Sequence, residues 1–227
     1  MGTGTASLRS NQPHTAVIGD MLDSRNLSGK ERMRVQIRFT RFIEDLNRNP
    51  RYSSALLSKF AITLGDEFHG ILKDASVLPD LLWDVDNAAD LPKFRIGVGY
   101  GRIDTEIPPY AINLDGPALH HAREAIDVAK SEKLLGGVFS GFGEEVDKVA
   151  NGIARLLWFH MDKRTEAQRS VIGFLRQGFS QTEIAGLIRK TPQAVTDHKI
   201  AAGWDAYHAG EQALCAILKI GTTRPGK

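Results

Sequence analysis

Ala61-Ile62-Thr63-Leu64-Gly65-Asp66-Glu67-Phe68-His69-Gly70 is the stretch on which the reading of this chain turns. Phe60, Ile62 and Leu64 alternate with small or polar residues, the pattern of a half-buried strand. Gly65 breaks that pattern, Asp66 and Glu67 follow at the tip, and Phe68, Ile71 and Leu72 begin a return strand. The spacing predicts a hairpin over 58–73 that holds two carboxylates at a rigid edge, with Gly65 there so that a ligand can approach the backbone closely. The plain alternative is an ordinary turn with solvated acids. The functional alternative is a metal–phosphate site.

Working outward, Thr15-Ala16-Val17-Ile18 reads as a buried strand stopped by Gly19-Asp20, followed by a polar loop containing Asp23, Ser24 and Arg25. Val35, Phe39, Phe42, Ile43 and Leu46 fall at helical spacing and predict a helix over 30–47, ended by Asn49-Pro50. Leu78, Leu81, Leu82 and Val85 predict a second helix. Phe94, Ile96, Val98 and Tyr100 alternate with Arg95, Gly97 and Gly99, the cleanest strand in the chain. Gly97, Gly99 and Gly101 lie inside that strand and open no helix, so they are not a dinucleotide fingerprint; they predict close packing of a helix or a partner backbone. Asp115-Gly116-Pro117 opens a helix striped with Ala118, Ala122, Ala125 and Ala129. Val138-Phe139-Ser140 is a short strand and 144–160 another helix. The order is β-α-β-β-α-β with additions, so an α+β, ferredoxin-like, palm-type domain is expected over 13–143, with a bridging helix over 144–163.

The chain has 227 residues, a net charge of +2 and 42% apolar residues, enough for a core but not the charge of a strongly basic nucleic-acid coat. Cys215 is the only cysteine, which excludes an intrachain disulfide or a cysteine metal cluster. No apolar run reaches membrane-spanning length and the N-terminus lacks a signal-peptide core, so a cytoplasmic protein without a membrane partner is expected. Neither residues 1–12 nor the tail Gly221–Lys227 is expected to pack.

A metal-bound triphosphate needs carboxylates that converge from distant parts of a chain, as when two magnesium ions about 3.5–4 Å apart clamp the reacting oxygens. In a β-α-β-β sheet the end of the first strand lies beside the second hairpin, which brings Asp20 towards Asp66. The expected metal is Mg²⁺ or Mn²⁺, held by Asp20, Asp66 and the backbone carbonyl of Met21. Glu67 is a further ligand or a transition-state contact, and Asp23 reads as a solvated loop acid. His120 and His121 are adjacent, point to different sides of their helix and are not a chelating pair.

These residues carry resemblances. Gly65-Asp66-Glu67-Phe68 is similar to the signature of GGDEF diguanylate cyclases, and Ala122, Ala125, Ala129 and Lys130 resemble the late helix of those enzymes, whose Lys reaches the triphosphate. Arg95-Ile96-Gly97-Val98-Gly99 looks like the corresponding strand of class III nucleotidyl cyclases. Val17-Ile18-Gly19-Asp20, Ser24-Arg25, Ile62–Phe68 and Asp115-Gly116-Pro117-Ala118, with the C-terminal arrangement, resemble the SatD family over most of the chain. The resemblances imply catalytic roles for Asp20, Asp66 and Glu67 and nucleotide contacts from Lys130, Arg123, Ser24 and Arg25. Lys130 also has a simpler reading, a cation favoured at a helix C-terminus. The departures are specific. Where class III cyclases carry an Asn and an Arg one helical turn apart, this chain offers His120 and Glu124, with Arg123 one place off. Their purine-reading Lys is replaced by Ile62.

From about 164 to 220 strands vanish. Gln168 to Leu175 reads as a helix, Ser180-Gln181-Thr182-Glu183 is a capping box, and Thr191-Pro192 starts the next helix. Two short helices around a tight turn are helix-turn-helix geometry, similar to LuxR and sigma region-four DNA-binding helices. In that reading Gln193, Thr196 and Asp197 face bases, and Arg189, Lys190 and Lys199 face phosphates. A protein–protein module is the alternative. Trp204, Tyr207, Leu214 and Leu218 predict a last helix that packs back or forms a homodimer.

The expectation is a regulator in which a nucleoside triphosphate or signalling nucleotide and DNA are the partners. A nucleotidyl cyclase or nucleotidyltransferase is the enzymatic alternative. A third possibility is a scaffold whose carboxylates only cap a hairpin.

Overall fold

A computed structural model describes residues 12–24, 27–63, 65–88 and 90–223. The chain runs β1 (His14–Met21), α1 (Gly29–Arg48), α2 (Pro50–Ser53), β2 (Leu56–Ile62), β3 (Glu67–Leu72), a 3-10 turn (Ala75–Val77), α3 (Leu78–Asp86), β4 (Phe94–Gly101), α4 (Pro117–Ser131) and β5 (Gly136–Ser140). It continues through α5 (Glu144–Asp162), α6 (Glu166–Arg176), α7 (Gln181–Leu187), α8 (Pro192–Ala201) and α9 (Trp204–Thr223). The class is α+β, a five-stranded mixed sheet with helices followed by an all-helical C-terminal region.

The sheet order is β2-β3-β1-β4-β5. Neighbours are antiparallel except β4 and β5, which run parallel and are joined through α4. The glycines of β4 explain how α4 lies on the sheet. A Cβ on Gly97 would stand 2.1 Å from the Ala122 carbonyl oxygen, and one on Gly99 would stand 2.1 Å from that of Ala118. Small residues on both partners therefore let helix and strand backbones touch, and Ala16, Ile18, Ile71, Ala118, Ala122 and Ile126 close the core beneath them. On the other face Phe39, Phe60, Phe68 and Phe94 meet edge to face or tilted, 5.5–6.1 Å between centroids. Gly19 makes room for the Phe68 ring, which a Cβ there would approach to 2.0 Å.

Three expectations are corrected. The first strand does not stop at Asp20 but continues to Met21, so Asp20 is a strand residue with cross-strand neighbours. The alternation in the first arm of the hairpin is broken, with Phe60 and Ala61 both buried, because the register shifts between Ser58 and Ala61. Leu64 lies outside the described residues. Gly65 adopts φ +78°, a left-handed backbone that favours glycine, and the space that a Cβ would fill there is open. The C-terminal tail packs as far as it is described: α9 runs to Thr223, and a Cβ on Gly221 would press on Phe142 at 2.9 Å.

The chain forms two compact units, 1–154 with 214–227 and 155–213, and both boundaries fall inside helices, α5 and α9. In the second unit Val171, Ile184, Ala185 and Val195 form the core between α6, α7 and α8. Each of these helices has a side-chain cap. Thr165 with Gln168 and Ser180 with Glu183 are full capping boxes, and Thr191 accepts from the Ala194 amide with Pro192 in the first turn. No helix among the described residues is long and apolar enough to cross a membrane.

Candidate functional site

Asp20 stands directly opposite Glu67 on β3 and Arg95 on β4, so the three side chains form one row across the sheet at the end where β1 finishes. The helix α4 covers this row. Arg123 donates to both carboxylate oxygens of Glu67, at 2.8 Å from Nη2 to Oε1 and through a second, shorter contact from Nη1. The His69 ring lies 2.7 Å from the same carboxylate. One helical face further on, Lys130 Nζ is 3.4 Å from the Asp20 carboxylate, and Arg95 reaches that carboxylate at 3.7 Å.

Burial pushes the Glu67 carboxyl up, but the hydrogen bonds from Arg123 and His69 outweigh it and hold Glu67 well below the ordinary carboxylate range. The Glu67 hydrogen bond raises Arg123 further, against the effect of its own burial. Both remain charged at neutral pH, so the pair is a fixed dipole on the site floor.

Asp66 has a different set of neighbours. Its carboxylate accepts from the Ser24 hydroxyl at 2.5 Å, and its backbone carbonyl accepts from the Met21 amide at 2.9 Å. It borders a cavity of about 240 Å³ walled by Met21, Leu27 and Val35 with the polar ends of Arg32 and Gln36. The tip of the hairpin therefore separates a charged row under α4 from a mixed apolar–polar cavity beside α1.

Asp20, Met21, Ser24, Asp66, Glu67, Arg123 and Lys130 come together at this end of the sheet from three separate segments, 20–24, 66–67 and 123–130. Arg25 lies outside the described residues. Asp20 and Asp66 are neighbours through the backbone, but their carboxylates bond to different partners. Among the described residues no group of three or more His, Cys, Asp or Glu side chains is placed to hold a metal. The donors Asp20, Asp66 and the Met21 carbonyl are all oxygen, a set that suits Mg²⁺ or Mn²⁺ delivered with phosphate oxygens and not a closed protein cage. Two residues of the site were missed in the sequence reading. His69 stands two residues after Glu67 and so shares its sheet face, a signal that was available. Arg95 could be found only from the β1–β4 register. His120 pairs with Asp115 at 2.8 Å, and His121 bonds the Tyr100 carbonyl at 2.7 Å.

In the helical unit Arg189 and Lys190 occupy the turn between α7 and α8, exposed and without an ion pair among the described residues. Arg189 adopts φ +54° there. Gln193 donates to Asp197 at 2.9 Å along the outer face of α8. Thr196 donates to Gln181 at 2.7 Å, tying α8 to α7. Lys199 pairs with Asp205 at 2.9 Å.

No curated protein and no solved structure matches the chain. The sequence pattern of the SatD family matches residues 14–212, which takes in all five strands and most of the helical region that follows. The chain belongs to the SatD family.

Proposed function

We propose that the sheet unit binds a nucleoside triphosphate or signalling nucleotide together with Mg²⁺ or Mn²⁺, and that the α7–α8 pair acts as a helix-turn-helix that binds DNA, which would make the protein a nucleotide-responsive transcription regulator. The observation that carries this reading is the convergence of Asp20, Asp66, Ser24, Arg123 and Lys130 at one end of the sheet. Further support comes from the strand order β2-β3-β1-β4, antiparallel throughout, which is the order a ferredoxin-like or palm β-α-β-β-α-β unit requires. The likeness of Gly65–Phe68 to the GGDEF signature points the same way.

In this reading Asp20 and Asp66, with the Met21 carbonyl, hold the metal, which when bound supplies charge neutralisation at the phosphates. Lys130 and Arg95, which rest on Asp20, are the cations nearest to the phosphates. Arg123 keeps 41% of its side chain exposed while Glu67 fixes its orientation, so it presents a guanidinium edge at little reorganisation cost. The cavity beside Asp66 takes the base, against Met21, Leu27 and Val35, with Gln36 and Arg32 at its polar end. In the helical unit Arg189 and Lys190 are the phosphate contacts, with Lys199 beside them. Gln193, Thr196 and Asp197 lie on the helix that would enter the major groove.

The test is titration of the full chain with ATP, GTP, CTP and UTP, with and without Mg²⁺ or Mn²⁺, read by thermal shift and product mass on the same samples. Metal-dependent stabilisation without product, lost in Asp20→Asn and Asp66→Asn, is the expected result. A new product lost in the same variants would replace the regulator with a nucleotidyl cyclase or nucleotidyltransferase. No metal-dependent shift with any nucleotide would overturn the site. Salt-dependent binding to duplex DNA that weakens in Arg189→Gln and Lys190→Gln tests the second half.

A further inference from the structure

At the opposite end of the sheet from Asp20, a cavity of about 620 Å³ opens where β1 begins and where β3, β4 and β5 finish. It lies wholly within the sheet unit. Its volume falls in the range of small-molecule sites. Four of its wall residues, Thr15, His121, Arg102 and Lys73, carry polar or charged groups whose bonding capacity the described fold leaves partly or wholly open.

Thr15 lines the cavity, and its hydroxyl makes no hydrogen bond among the described residues and is not one of the sealed polar atoms, so it is open to the cavity. His121 also lines it. Its Nδ1 is 2.7 Å from the Tyr100 carbonyl, which can only accept, so Nδ1 carries the hydrogen and Nε2 is left without a partner among the described residues. Arg102 has no ion pair among the described residues, and Lys73 bonds only the Ser54 carbonyl, at 3.5 Å. The carboxylate on the wall, Asp74, accepts from the Ser76 amide and hydroxyl at 2.8 and 2.7 Å, which directs it into its own turn.

We propose that this cavity is a second ligand site, for a phosphomonoester about the size of a nucleoside monophosphate or sugar phosphate. A terminal phosphate offers three oxygens for separate donors, matching a guanidinium fork, an ammonium and a hydroxyl. The rest of the volume holds the group that carries the phosphate. Among the described wall residues there is no carboxylate pair, so this site takes its anion without a metal, in contrast to the end bearing Asp20 and Asp66.

The experiment is calorimetric titration of the full chain with inorganic phosphate and with AMP and glucose 6-phosphate, in EDTA. The expected result is saturable binding that weakens with added NaCl. The affinity falls at least tenfold in Arg102→Gln and several-fold in Thr15→Val, and is kept in Asp66→Asn. Long-range ¹H–¹⁵N spectra of the histidine rings report a shift of His121 Nε2 on binding. Thr15→Val preserves shape in a buried strand and Arg102→Gln lies at the surface, so both variants fold. The absence of saturable binding by all three probes, or binding unchanged in both variants, overturns the proposal.

Discussion

In the helical unit Arg176 and Glu211 are sealed together. Their side chains are 5% and 6% exposed, and Arg176 Nη1 stands 2.6 Å from both carboxylate oxygens. Arg164 is buried beside them, its guanidinium 4.1 Å from the centre of the Tyr207 ring and donating to the Ala202 carbonyl. In the sheet unit Glu67 is buried as deeply, at 5%, and Asp20 is 16% exposed, but the cations are open: Arg123 is 41% exposed and Lys130 43%. A pair sealed on both sides offers nothing to a ligand and serves only the fold. A buried acid under a half-open cation holds a positive charge in place while leaving its outer edge for an anion. The same residue types thus do structural work in one unit and present a binding surface in the other.

The largest effect expected from this contrast is in the helical unit. Glu211→Ala leaves Arg176 charged and buried, which costs about 3–5 kcal/mol, and urea unfolding should show that loss. A loss under ~1 kcal/mol would mean that Arg176 is not sealed. Glu67→Gln should cost less, about 1.5–3 kcal/mol, because Arg123 can turn to water when its charged partner is removed. This variant also has a pH signature. Glu67 is held below its unfolded value of about 4.3, so its contribution is fully present above that pH and is lost as the pH falls towards the folded value. The wild type should therefore lose stability below about pH 4 more steeply than Glu67→Gln, and parallel acid limbs would sink the assignment. The smallest stability effect belongs to Lys130→Ala, within ~0.5 kcal/mol, since a half-exposed pair contributes little. The same change should remove most of the metal-dependent nucleotide stabilisation. A large stability loss with nucleotide binding intact would make Lys130 a structural residue.

Much of the sheet unit was legible in the sequence, for identifiable reasons. Strand residues two apart and helix residues four apart share a face, so Gly97 and Gly99 against Ala118 and Ala122 could be read as a close helix–strand contact before any coordinates. The β-α-β-β order was enough to bring Asp20 beside the hairpin tip. What that order does not carry is side-chain partnership. Asp20 bonds to Lys130 and Asp66 to Ser24 because one carboxylate lies under α4 and the other beside α1, a distinction of one residue in register. The bulge in β2 likewise depends on pairing with β3 and leaves no mark in local periodicity. The Arg176–Glu211 pair was invisible for a different reason. An Arg and a Glu in amphipathic helices, 35 residues apart, look like two solvated positions until the helices meet.

The return of α9 to the sheet has a consequence for how this chain can be divided. Residues after Leu214 belong with the sheet, where the Cys215 thiol donates to the Ser76 carbonyl and Tyr100 donates its hydroxyl hydrogen to the Thr222 carbonyl. In topological terms the helical unit is an insertion between two segments of one domain, not a second bead on a string. A fragment cut after β5 or α5 would lack a strip of its own surface beside Tyr100 and Phe142. The divisible product is a deletion of 155–213 with the ends rejoined, or two fragments that reassociate.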